Sequence, residues 1–199
     1  DAVDYAHQHG MIHRDIKPAN LMLNVMGQAI LMDFGIAKIV GGQQHTATGA
    51  VIGTALYMAP EQIRGEKIDE RVDVYATGVT LFEMLNGKPP YEADSAMTLM
   101  MKHLNDPIPN LRDLQPDAPG DLIAVVEKAL AKDGAERYQN QAEMAADLQA
   151  AVGRIQAGAP VGAAVVQTVA AGAAAGATVA AVASAASGEP AVAATVPVS

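Results

Sequence analysis

A mainly helical α+β domain with one small β-hairpin, followed by a low-complexity tail, is the fold class this sequence predicts. Three observations carry it. Apolar residues recur at helical spacing in several segments of residues 1–155. Two short apolar runs flank a glycine turn, the signature of a hairpin. After residue 155 charge nearly vanishes: all 13 Lys and Arg and 21 of the 22 Asp and Glu lie at or before Arg154, and the tail carries only Glu189. The expected organisation is a folded domain over 1–155 and an Ala/Val/Gly-rich linker over 156–199.

In chain order, "DAVDYAHQHG" reads as the end of a helix stopped by Gly10. "LMLN" (Leu21 to Asn24) and "AILM" (Ala29 to Met32), on either side of a turn containing Gly27, form the hairpin. Residues 33–60 are rich in Gly, Thr and Ala with weak periodicity, which predicts a long functional or mobile loop. "RVDVYATGVTLFEMLN" (Arg71 to Asn86) is apolar on nearly every side, as a core helix would be, and Gly87, Pro89 and Pro90 end it. A shorter helix follows with Asp94 as its N-cap and runs to about His103. Pro107, Pro109, Pro116 and Pro119 mark a connecting loop. Leu122, Val125, Val126, Ala129 and Leu130 recur at helical spacing, as do Ala145, Leu148, Val152 and Ile155.

The folded part carries a formal charge of −8 (13 − 21), which argues against nucleic-acid binding through a basic face. With no cysteine, disulfides, zinc-thiolate sites and a cysteine nucleophile are excluded. The chain opens at Asp1 in mid-helix without a signal peptide, so the expectation is a piece cut from a longer protein. The run Ile155 to Gly188 is uncharged and long enough to span a bilayer, but Ala and Gly dominate it. A disordered or partly helical linker is expected there, with a membrane span as the alternative.

Chemistry concentrates in three motifs: "HRDIKPAN" (His13 to Asn20), "DFG" (Asp33 to Gly35) and "APE" (Ala59 to Glu61). Their order and the elements between them resemble the catalytic lobe of protein kinases. Residues 1 to about 155 look like the C-terminal lobe of a Hanks-type kinase, and "DIKPAN" resembles the serine/threonine form. "AVIGTALYMAPEQIRGE" and "LAKDGAERYQNQAEMAADL" further resemble bacterial members.

The resemblance implies transfer of the γ-phosphate of ATP, assisted by Mg²⁺ with Mn²⁺ as an alternative, to Ser or Thr hydroxyls of protein substrates. Phosphoryl transfer needs in-line placement and neutralisation of developing charge rather than covalent work by the protein. Asp15 can accept the hydroxyl proton, and Lys17 is a point charge for the transferring phosphate. Asn20 and Asp33 are oxygen ligands of the kind Mg²⁺ prefers. Thr54 resembles the threonine that bonds the catalytic Asp and Lys, next to the substrate. Glu61 and Arg137 resemble a buried structural ion pair, and Asp73 an aspartate that holds the catalytic loop through its backbone. His13 is expected to pack beneath the loop and Phe34 to lie in the core. Arg14 and Lys38 form a candidate cationic pocket for a phosphate on Thr46 or Thr48, the expected regulatory sites.

No G-x-G-x-x-G precedes His13, and the strand lysine and helix glutamate of the kinase signature are not found in the 199 residues. The expectation is a lobe that lacks its N-lobe and is inactive by itself. The alternative is a non-catalytic kinase-like interaction module, which intact Asp15, Lys17, Asn20 and Asp33 argue against. The resemblance also raises a homodimer, a cytoplasmic location for the catalytic part, and a membrane anchor following it.

Overall fold

The computed structural model describes residues 2–33 and 53–158. Helix α1 (Ala2–Gln8) ends where expected. Gly10 takes φ 75°, and the Gly10 and Met11 N–H groups bond back to the carbonyls of His7 and Ala6 at 2.8 and 2.9 Å. That paired closure needs a left-handed residue, which glycine adopts without steric cost. The chain then runs irregularly to a short 3₁₀ turn, Pro18–Asn20, and into strand β1 (Leu21–Leu23). Strand β2 (Ala29–Leu31) returns antiparallel, with Leu21 opposite Leu31, Met22 opposite Ile30 and Leu23 opposite Ala29. Asn24 closes the hairpin turn, its Oδ1 accepting the N–H groups of Met26 and Gln28, both at 2.9 Å.

Residues 53–55 form a helical turn, so the end of the expected long loop is ordered into helix; 34–52 lie outside the described residues. The remaining helices are α2 (Pro60–Arg64), α3 (Arg71–Asn86), α4 (Ala96–Asn105), α5 (Leu111–Leu114), α6 (Gly120–Ala129) and α7 (Gln141–Gly158). A 3₁₀ turn, Gly134–Glu136, joins the last two. The domain is mostly helical with one two-stranded sheet among the described residues.

Helix α3 is the axis of the fold. Eleven of its sixteen residues are buried, so it has no polar face to present, in keeping with its near-continuous apolar sequence. Helices α5, α6 and α7 pack around it, and Val79, Phe82, Val126, Leu130, Met144 and Leu148 belong to one apolar core. Gly78 explains how close α3 and α6 come: a Cβ there would lie 2.8 Å from the Ala129 Cβ. A smaller cluster of Ala55, Tyr91 and Leu99 joins residues 53–58 to α4.

Three boundaries differ from expectation. Ser95, not Asp94, caps α4: it holds the extended backbone of a cap, and its Oγ accepts the Thr98 N–H at 3.1 Å. The proline-marked loop contains α5, nucleated by Asn110, whose Oδ1 accepts the Arg112 N–H at 3.0 Å. Helix α7 continues through Gly158, past the expected end of the domain, and 159–199 lie outside the described residues. Among the described residues no helix is long and apolar enough to cross a membrane.

Candidate functional site

The site grows from one buried carboxylate. Asp73 sits in the first turn of α3 with no exposure. Its Oδ2 accepts the His13 N–H at 2.7 Å and its Oδ1 the Arg14 N–H at 2.8 Å. His7, on α1, places Nε2 2.8 Å from the same Oδ2. A buried carboxylate is stable only when donors surround it, and here those donors include the backbone of the loop that leads to Asp15. Arg14 has φ 62°, one of two positive-φ non-glycine residues among those described. Such a conformation is held by surrounding bonds rather than by local propensity. The second is Asp33, at φ 55°.

His13 is fully buried and works as a brace. Its Nδ1 accepts the Asp15 N–H at 3.3 Å, which leaves Nε2 to donate to the Met32 carbonyl at 3.2 Å. The Met32 N–H in turn bonds the Asn20 carbonyl at 2.8 Å. The residue before Asp33 is therefore gripped by both ends of the "HRDIKPAN" loop, which fixes where the chain departs toward Asp33.

Asp15, Lys17 and Asn20 come together as one cluster. Lys17 Nζ lies 2.9 Å from Asp15 Oδ2, and the Asn20 side-chain amide donates to the Asp15 carbonyl at 2.7 Å and to Oδ2 at 3.1 Å. Both charged side chains remain partly exposed, as groups must be that meet a substrate. With its amide nitrogen committed to Asp15, Asn20 contributes Oδ1 as an acceptor, and exposed Asp33 contributes its carboxylate. Two hard oxygens suit a Mg²⁺ ion that takes its other ligands from phosphate and water. No group of three or more His, Cys, Asp and Glu fit for a metal occurs among the described residues, so an all-protein cage is not the alternative there.

Thr54 lines a cavity of about 100 Å³ together with Arg14, Asp15, Tyr57, Gln62 and others. Segment 53–58 is thus the wall facing Asp15. Arg14 buries its Nε without a hydrogen-bond partner among the described residues. Phe34, Gly35, Lys38, Thr46 and Thr48 lie outside the described residues.

Behind the wall, Arg137 forms a two-pronged ion pair with Glu61 of α2, at 2.7 and 2.9 Å. It also donates to the carbonyls of Ala131, Lys132 and Arg71, so nearly every guanidinium hydrogen has an acceptor. Two features escape any sequence pattern: His7 on Asp73, 66 residues away, and a polar cluster of Tyr75, Tyr91, His103 and Lys132 beneath segment 53–58. Only the odd placement of polar residues in apolar stretches signals them beforehand.

Residues 1–148 match the family model described as the protein kinase domain. The chain is 49% identical over 150 residues to the serine/threonine-protein kinase PknB of Mycolicibacterium smegmatis, covering 74% of this chain and 24% of that one. It is 48% identical over 150 residues to PknB of Mycobacterium tuberculosis, with the same coverage. It is 44% identical over 164 residues to the probable serine/threonine-protein kinase SCO3848 of Streptomyces coelicolor, covering 81% of this chain and 24% of that one. The chain spans about a quarter of the length of these curated relatives.

Proposed function

The chain belongs to the protein kinase domain family, and from that premise we propose that it supplies the catalytic lobe of a serine/threonine protein kinase. The observation that carries this is the Asp15–Lys17–Asn20 cluster, set on a backbone that Asp73 clamps. Asp15 orients the substrate hydroxyl and accepts its proton as the oxygen attacks phosphorus. Lys17, 2.9 Å from Asp15, offsets charge on the transferring phosphoryl oxygens. Asn20 and Asp33 are the residues that would hold Mg²⁺, which supplies charge neutralisation at the phosphates of ATP. Segment 53–58 would bear the protein substrate next to Asp15. The names of the bacterial relatives support Ser and Thr as the hydroxyls.

The 199 residues include no glycine-rich loop and no paired strand lysine and helix glutamate to cover a nucleotide. A half-exposed site forfeits the water exclusion that strengthens its electrostatics. This polypeptide alone is therefore expected to show negligible transfer, and the test belongs to the full-length protein. With labelled ATP, Mg²⁺ and a Ser/Thr-containing protein, Asp15→Asn should lower transfer about 10²–10⁴-fold. No transfer by the wild type, or undiminished transfer by Asp15→Asn, overturns the assignment.

A further inference from the structure

Away from the Asp15 cluster, an open cleft of about 560 Å³ lies between the end of α1 and the start of α3. Its walls include His7, the side chains of Ile12 and Ile68, and the charged run Asp69, Glu70 and Arg71. Ile12 and Ile68 pack on the main core and are only partly buried, so the cleft has an apolar side as well as a charged one.

His7 is the unusual member of this wall, because only 2% of its side chain is exposed. Its Nε2 meets Asp73 Oδ2 at 2.8 Å, and that carboxylate already accepts the His13 and Arg14 N–H groups. A carboxylate with those partners has no hydrogen to give, so the ring proton resides on Nε2. Nδ1 is buried and has no hydrogen-bond partner among the described residues. It faces the Glu70 carboxylate across 3.7 Å, too far for a hydrogen bond. Ring nitrogen and carboxylate are thus two neighbouring acceptors on one wall, and a buried acceptor without a donor is costly.

The charges beside them are unequal. The Asp69 carboxylate is committed, holding Arg71 Nε at 2.9 Å and an Arg71 terminal nitrogen at 2.7 Å. Arg71 is occupied in turn, its other terminal nitrogen reaching Gln139 Oε1 at 3.3 Å. Glu70 immediately precedes α3, makes no capping hydrogen bond and stays 40% exposed. With one cation to two carboxylates, this wall keeps a negative charge.

A cation with N–H groups on separate atoms and an aliphatic stem suits such a wall. The planar fork of a guanidinium offers one donor to Nδ1 and another to the carboxylate, while its stem lies along Ile12 and Ile68. An ammonium gathers its donors on one atom and is more strongly hydrated, so it fits a half-buried place less well. We propose that the cleft between α1 and α3 is a binding site for a guanidinium group, held by His7 Nδ1 and Glu70 Oε2. The site lies apart from the Asp15 cluster and does not rest on the phosphoryl-transfer assignment. It shares one ring with it, since the imidazole that takes the guanidinium at Nδ1 donates to Asp73 from Nε2.

Calorimetry on the full-length protein without ATP tests this, with acetyl-Gly-Arg-Gly-amide as the probe. The peptide should bind with a Kd of about 1 mM. Its citrulline counterpart, a neutral ureido group of the same shape, should bind at least about 10-fold more weakly. Glu70→Gln removes the charge at a partly exposed position and should weaken the arginine peptide about 10-fold. Nitrogen NMR of histidine-labelled protein near neutral pH should find His7 Nδ1 without a proton, and the arginine peptide should displace that signal. Ethylguanidinium separates the two sources of the group, and either result keeps the site. Affinity within about 3-fold of the peptide's assigns it to a small free guanidinium compound, and affinity about 10-fold weaker assigns it to an arginine side chain of a protein. A Kd above about 10 mM for both probes, equal binding of the citrulline peptide or an unaltered Kd in Glu70→Gln overturns the proposal. A proton on His7 Nδ1, or a His7 signal that the peptide leaves in place, overturns it without any variant. None of these readouts requires phosphoryl transfer, so the two assignments stand or fall separately.

Discussion

Within the helical body, Tyr75, Phe82 and Leu130 are at most 1% exposed, while at the tip of the hairpin Val25 and Met26 are 105% and 72% exposed. The body is held by apolar burial around α3, and the edge that carries Asp15 is held by hydrogen bonds to α3. Each backbone N–H that Asp73 accepts adds a polar anchor to a loop whose Asp15 and Lys17 side chains stay partly exposed. The two regions meet at the first turn of α3, where one carboxylate serves the loop and the rest of the helix serves the core. Stability and chemistry are thereby drawn from different interactions of the same helix.

That contrast can be broken most forcefully in the body. Arg137→Ala leaves the Glu61 carboxylate and three backbone carbonyls without their donor, and should cost about 3–5 kcal/mol in urea unfolding of the full-length protein. A cost under about 1 kcal/mol would show that the pair is as dispensable as a surface bridge.

Acid should act next. His103 is neutral when folded, at about 4 against an ordinary 6.5, so between these values the unfolded chain binds the extra proton. Stability is therefore intact above about pH 6.5 and declines as pH falls toward 4, by roughly 3 kcal/mol. The groups facing the ring are Tyr75 and Tyr91, which keep their protons throughout, and Lys132, which stays charged in this range. Asp69, held below its usual range by Arg71, loses its contribution only at lower pH. Unfolding followed from about pH 7 to 4 should be flatter in His103→Phe, and an equal slope in both proteins would assign the acid sensitivity to another group.

The smallest effect belongs to the edge. Val25→Ser should change the free energy of unfolding by no more than about 0.5 kcal/mol, because the side chain is fully exposed. A loss above about 1 kcal/mol in the full-length protein would mean that the hairpin tip is covered there and that both regions draw on packing.

Much of this frame was legible beforehand, and the failures are local. Helix α3 has the bounds its apolar run and Gly87 predict, since burial on all sides and a left-handed stop are both written within one short segment. Asp94 and Ser95 are equally good caps by type, and only the extended backbone at Ser95 selects between them. Helix α5 is four residues long, too short for any periodicity, and rests on one asparagine cap. The three motifs identified Asp15, Asn20 and Asp33 by residue type and order, and the pairing of Glu61 with Arg137 followed from resemblance alone.

By itself the sequence determined the helical class, the hairpin, the acidic balance and which side chains are the candidates for chemistry, because each is encoded over a few neighbouring residues. Tertiary structure decided which group meets which. It set His7 on Asp73, Asp73 on the strained backbone at Arg14, and His103 between Tyr75 and Tyr91, across separations of up to 66 residues. No local pattern specifies such partners, since the low-dielectric interior that makes them matter exists only once the segments have packed.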